Sequence, residues 1–459
     1  MRRSTRMSRP TLSGSSRSAV LLGNDGDGST LTLDFTTGVL DSRFTFTRGS
    51  GSNFPAGTGP SYVGSDGFLK YATTNQARFD HDPTTFAARG LLIEADTTNL
   101  TRSSTNLTNT SFWTLQTAYA ATSATADTAP DNTFTGNSFT EPNNNQQRSI
   151  YQSYASAAGT YTFSVWAKPG SGSVRLIRLV VSSASGDFGY ATFNLSTGAI
   201  EQAATAVGTA TNASLTVSGL YTATGWRRYS LTVTLAAAVN FGFIVPMDLA
   251  SMDVPTTNFG RVAYHGDGSS FLLWGAMMES GAGPSSFVST GASTATRVAD
   301  FAVMSDISAV NFNTSGGTMT VNGFQTKRSA GSFPSLIGFL DASDVPVLGV
   351  LNTTLGTTLI GRWANGATSA EQSRNITNNA LYKFGVVSDP GLSVGAVTVS
   401  INGSSATGNK TGAGTTIAVP TKFAITRPGF GAFINCGTIS QIKYWPTAKT
   451  ASELNVLTT

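Results

Sequence analysis

The chain has 459 residues, 40% hydrophobic and 10% aromatic but only 12% charged, with one cysteine and a net charge of +4. Ordinary soluble domains carry about 25% charge. The aromatic content excludes disorder and the lone Cys436 excludes an intrachain disulfide framework. The most apolar window, Leu235 to Met247, is interrupted by Asn240 and Pro246 and falls short of the ~18 apolar residues of a membrane span. Abundant Gly, Ser, Thr and Asn suit short strands joined by polar turns, and roughly 150 residues per domain predicts about three units.

Residues 1–30 read as an extended basic arm. Arg2, Arg3, Arg6, Arg9 and Arg17 all precede the first acidic residue, Asp25. Without them the chain carries 24 basic against 25 acidic residues, a net of −1. The basicity is therefore local, and no nucleic-acid-binding face is expected. RRSTRMSRPTLSGSSRS has no apolar period with which to fold alone, so it reads either as a disordered tail or, where ordered, as an arm lying on an acidic surface of a virion partner. No secretory leader is expected, because no apolar stretch follows the arginines.

Residues 31–100 carry short strand candidates, among them LTLDF (Leu31 to Phe35) and RFTFTR (Arg43 to Arg48), between Gly-rich loops. They read as a collar packed onto the sandwich that follows. The stretch ends in RFDHDP (Arg78 to Pro83) and GLLIEADTTNL (Gly90 to Leu100).

Residues 101–299 alternate with period two. In YTFSVWAK, Tyr161, Phe163, Val165 and Ala167 share one face. In WRRYSLTVTL, Tyr229, Leu231, Val233 and Leu235 point inward, while Trp226 and Arg228 point outward. This is the pattern of an antiparallel two-sheet sandwich. Aromatics on both faces of such strands, including FLLWGAMM, call for another chain or domain over an outer face. The region closes with WGAMMESG (Trp274 to Gly281) and PSSFVSTGASTATRVAD (Pro284 to Asp300).

Residues 300–459 read as a second sandwich, with strands in GTMTVNGFQT, TLIGRW, ALYKFGVV and AVTVSI. Asn402-Gly403 is a hairpin signal because both turn positions need positive φ. The ending GTISQIKYWPTAKTASELNVL is a strand and a short helix opened by a Thr450/Glu453 capping box.

The paired motifs RFDHDP…IEADTTNL and WGAMMESG…ATRVAD resemble those of tailed-bacteriophage virion fibre and appendage proteins over roughly residues 31–300. That resemblance implies a jelly roll like those of carbohydrate-binding modules, closed by the Trp-Gly-Ala…Glu-x-Gly strand. The strand-then-TASEL ending is similar to the last element of concanavalin-A-like (laminin-G-like) domains. The expected fold class is all-β, with two antiparallel sandwiches (jelly-roll and concanavalin-like) after the arm.

Catalytic chemistry is scarce. His81 and His265 are the only histidines and stand near no nucleophile motif, so structural roles are expected. No zinc cluster, cofactor motif or resident metal is expected; a loop calcium would call on Asp253 and Asp267. A glycosidase needs two facing carboxylates. Asp80, Asp82, Glu94, Asp187 and Glu279 form no paired motif, and several sit in the shared framework, where pairing with Arg78 or Arg89 is the simpler role.

Glycan binding needs only an aromatic platform with polar neighbours. Trp113, Trp445 and above all Trp363, flanked by Arg362, are the candidates, whereas Trp166 and Trp274 read as core. The expected protein is a non-enzymatic virion component made in a bacterial cytoplasm, a tail or head fibre. It would recognise host surface polysaccharide and bind capsid, tail or adaptor proteins through the arm. Threefold self-association into a homotrimer follows from the resemblance. A capsid decoration (cement) protein and a capsule depolymerase are the alternatives.

Overall fold

The computed structural model describes residues 26–117, 119–172, 176–252, 257–327, 336–352, 358–365, 368–376, 380–389, 396–409, 417–426 and 436–459. The arginines at 2, 3, 6, 9 and 17 lie outside them. The chain is all-β, with two antiparallel sandwiches. Among the described residues the one α-helix is Ala451–Leu457, and no helix is long and apolar enough to cross a membrane.

The middle sandwich is contiguous in sequence. One sheet runs in the order Thr211–Val217, Arg227–Leu235, Gly159–Pro169, Ser270–Ser280, Gly136–Thr140, Ala121–Asp127. The facing sheet runs Ile200–Val207, Asp187–Asn194, Leu176–Ala184, Val239–Met247, Ser149–Ser156, Thr114–Gln116. Phe163, Val165, Leu231 and Val233 from the first meet Leu179, Val181 and Phe193 from the second, the face that the period-two alternation selects.

The second sandwich is assembled from both parts of the chain. In one sheet, strand Cys436–Trp445 lies beside Gly317–Lys327. Along its other edge, Ala88–Ile93 pairs with its first half and Leu31–Asp34 with its second. In the facing sheet Phe44–Thr47 pairs with Phe301–Met304. Leu31, Leu33, Phe44, Phe46, Leu91 and Ile93 enter the same core as Val321, Phe339, Trp363 and Phe384. The expected collar is thus mostly part of the C-terminal sandwich, since alternating apolar residues at 31–33 and 44–46 gain a buried face only there.

The remainder of that segment does pack on the middle sandwich. Val63 and Leu69, with partly buried Phe54 and Tyr71, cover the outward Trp166, Trp226 and Trp274. The second aromatic face that called for a covering chain or domain is therefore covered from within. Gly275 makes this packing possible: its φ is +65°, and a Cβ there would stand 2.7 Å from the Trp166 ring.

Two connections join the sandwiches and pair with each other. Thr97–Asn99 runs antiparallel to Ala295–Arg297, with Arg297 opposite Thr97. Elsewhere the local signals are realised. Asn402 and Gly403 have φ of 46° and 79° between the paired strands Ala396–Ile401 and Ser404–Asn409, and both bonds of the Thr450/Glu453 capping box form.

Candidate functional site

The neck between the sandwiches is built from the two sequence motifs. Asp300 accepts from Arg48 at 2.9 Å and from Arg78 at 2.6 Å. Glu94 accepts from Arg78 at 2.8 Å, from Arg297 at 3.2 Å and from the Ser286 N–H at 2.7 Å. Glu279 accepts from Thr97 Oγ1 and from the Ser285 N–H and hydroxyl. All of these residues are buried except Ser286, which is half-buried, and charges buried this deeply persist only when paired and hydrogen-bonded. Burial pushes the Glu94 carboxyl up, but Arg297, Arg78 and Ser286 outweigh it and hold it down at about 2.

Beside this neck lies a cleft of about 670 Å³, walled by the 61–94 segment, the middle sandwich, the 284–287 connection and Phe324. The strand Arg78–His81 explains its chemistry. Arg78 and Asp80 share one face and Phe79 takes the other, so Phe79 packs on the C-terminal core while Asp80 lines the cleft. Asp80 is half-buried. It accepts the Val63 N–H at 2.7 Å and makes no ion pair among the described residues. The expected pairing with Arg78 or Arg89 does not occur here, because Arg78 is taken by Glu94 and Asp300 and Arg89 by Asp82 at 2.6 Å. Burial raises the Asp80 carboxyl to about 6, against the pull of the Val63 N–H and Arg89.

Arg228 reaches the cleft from the middle sandwich. Its guanidinium lies 4.6 Å from the Trp166 ring centroid and donates to Ser164 Oγ and to the Ser285 carbonyl. It has no ion-pair partner among the described residues. The Trp166 Nε1–H finds no acceptor of good geometry, although the Tyr221 hydroxyl lies beside it. The cleft thus has an apolar wall of Tyr62, Ile200, Leu215 and Val217, with an acceptor-rich carboxylate from the segment that completes the C-terminal sandwich and a guanidinium from the middle one. Among the described residues it offers a single unsaturated carboxylate, since Glu94 is fully engaged.

The tryptophans expected to form glycan platforms do not do so. Trp363 is fully buried and donates to the Ala396 carbonyl. Trp113 is buried and donates to the Ser103 carbonyl. Trp445 is buried and donates to the Asp27 carbonyl. Arg362, half-exposed, pairs with Glu371 across neighbouring strands. Polar sequence neighbours do not mark exposure here: Trp363 and Trp445 lie in strands, where adjacent residues face opposite ways, and the Trp113 backbone N–H bonds the Asn109 carbonyl in a turn just before Thr114–Gln116. Trp166, expected in the core, is buried and lies behind the cleft wall beneath Arg228.

The other singled-out residues have local roles. His81 Nδ1 lies 3.1 Å from the Val63 carbonyl, and Asp187 accepts the Thr209 N–H. His265 sits in a short strand pairing with Asn145–Gln147. Asp267 accepts the Ser269 N–H, and Asp253 lies outside the described residues.

No protein-family model matches the chain, and no curated protein sequence matches it. Among solved structures it is similar to the botulinum neurotoxin type G receptor binding domain, at 11% identity and a TM-score of 0.25, over 34% of this chain and 38% of that one. It is also similar to mouse laminin alpha1 domains LG4-5, at 11% identity and a TM-score of 0.20, over 64% and 84%. The LG1-3 region of laminin alpha2 matches at 11% identity and 0.24, over 65% and 66%. The chain spans about two fifths of the neurotoxin domain's length. Likeness at this level carries no argument about binding, and the fold class rests on the sheets themselves.

Proposed function

We propose that the chain is a glycan-binding component of a tailed-phage virion, a tail or head fibre that recognises host surface polysaccharide without turnover. The observation that carries the binding half is the neck cleft, whose size is that of a small-ligand site and whose polar groups converge from two sandwiches beside an apolar wall. The resemblance of RFDHDP…IEADTTNL and WGAMMESG…ATRVAD supports the virion half. The single unsaturated carboxylate favours binding over hydrolysis, which needs a second one.

In this reading the protein is made in the host cytoplasm and joins the virion through Arg2, Arg3, Arg6, Arg9 and Arg17 on capsid, tail or adaptor proteins. Five exposed ion pairs at ~0.2–1 kcal/mol each hold one arm weakly, so several arms of a trimeric fibre would act together. The aromatic faces no longer argue for self-association, because the chain covers them itself. Light scattering decides it: a mass near one 47.6 kDa chain removes the trimer.

The test is binding of the isolated protein to host polysaccharide at about millimolar strength, with no release of reducing ends, alongside adsorption of virions lacking it. Normal adsorption by such virions would replace receptor recognition with a decoration role. Reducing-end release would make it a depolymerase.

A further inference from the structure

We propose that the neck cleft seats a neutral pyranose, with two adjacent hydroxyls donating to the Asp80 carboxylate and a sugar oxygen accepting from Arg228. This rests on the glycan-binding reading above and specifies the site and the sugar class.

Asp80 has acceptor capacity that the fold leaves unused. An ionised carboxylate has about four acceptor positions and no donor; at Asp80 the Val63 N–H fills one. The remaining oxygen surface faces a space that a ligand can occupy, so the cleft calls for hydroxyl or amine donors. A divalent cation would require several oxygen or nitrogen ligands, and the described residues hold no group of three or more such side chains. An ammonium group would meet Arg228 in the same cleft, and an anion would meet Asp80. A neutral polyol meets neither penalty. Its hydroxyls satisfy both charged groups, and its C–H face matches the apolar wall that Tyr62, Ile200, Leu215 and Val217 leave open to the cleft.

The site also spans the junction. Asp80 belongs to the segment that completes the C-terminal sandwich, and Arg228 to the middle one, so one ligand touches both. Around Asp80 the charged and titratable groups are Arg78 on its own strand, Arg89 and Glu94 on the paired strand and connection, and Tyr221 across the cleft. His81 is its chain neighbour. Since Asp80 gives up its proton at about 6, binding through its ionised form weakens about 10-fold from pH 7.5 to pH 5, and a variant without the carboxyl separates this from any titration of His81.

The experiment titrates the full-length protein, wild type and Asp80→Asn, with methyl glycosides of glucose, galactose and mannose, with a uronate, with glucosamine and with host polysaccharide. Titrations run at pH 7.5 and pH 5, with near-ultraviolet circular dichroism to verify folding. The expected result is that at least one neutral glycoside binds wild type and binds Asp80→Asn on the order of 10- to 100-fold more weakly. The pH dependence should vanish in the variant. Equal binding of polysaccharide by both proteins would overturn the cleft assignment while leaving glycan recognition standing. Preference for the uronate or glucosamine would overturn the neutral-sugar assignment. Absence of any glycan binding by wild type would overturn both readings.

Discussion

Arg78 and Asp300 are 222 positions apart in the chain and 2.6 Å apart in the fold. Arg78 opens the first of the two paired sequence motifs and Asp300 ends the second, and their contact closes the neck. Arg48 holds the other oxygen of Asp300 at 2.9 Å, and the Glu94 N–H donates to the same oxygen as Arg78.

Removing one member leaves buried charge uncompensated, which costs about 3–5 kcal/mol. Asp300→Ala and Arg78→Ala are each expected to lower the unfolding free energy by that amount, read as a drop in the urea midpoint. The double variant should cost less than the two single changes added together, because they break the same contact. Additive losses would show that the pair is not coupled.

Acid should weaken the same neck. The Glu94 carboxyl titrates near 4.5 when unfolded and at about 2 in the fold. Its ionised form is the stabilised one, so its contribution is fully present above pH 4.5 and is lost as pH falls toward 2. The expected loss is on the order of 3 kcal/mol. Urea midpoints measured from pH 6 to pH 2.5 should fall mainly below 4.5, and Glu94→Gln should be weaker at pH 6 with a shallower decline.

Trp363→Ala should act as a core deletion. The indole is buried among Leu348, Phe384 and Val399 in one cluster, so truncation is expected to cost about 3–5 kcal/mol. Thermal unfolding checks the loss. Where the variant remains folded its glycan affinity should equal that of wild type, and a selective loss of binding without loss of stability would restore the platform role.

Local features were readable before the fold was known, and long-range ones were not. The alternation in YTFSVWAK, the Asn402-Gly403 turn and the Thr450/Glu453 cap depend on neighbours within a few positions. That Leu31–Asp34 would pair with Cys436–Trp445 has no local signature, because its short apolar pattern fits many edges. The site failed for a related reason. Asp80, Asp82 and Glu94 all stand near Arg78 and Arg89 in sequence, and only the packed neck decides which acid is left over. Trp363, Trp113 and Trp445 have polar sequence neighbours, yet strand alternation turns Trp363 inward, the turn at Asp27 covers Trp445, and Trp113 is buried with its indole N–H on the Ser103 carbonyl.

Asp80 is kept at a cost to stability, and that cost is measurable. Its carboxyl titrates near 3.8 when unfolded and at about 6 in the fold. Below pH 3.8 both states are protonated and nothing is lost. Between 3.8 and 6 the folded chain binds more protons than the unfolded one, so stability falls as pH rises, and above 6 the full cost is present. Asp80→Asn removes the charge while its amide oxygen can still accept the Val63 N–H. The variant should therefore be more stable than wild type by about 1–3 kcal/mol at pH 7.5 and nearly equal to it at pH 4. Denaturant unfolding at the two pH values checks this. A variant less stable than wild type at pH 7.5 would mean that the ionised carboxylate supports the fold, and the reason for reading it as a group held ready for a ligand would be gone.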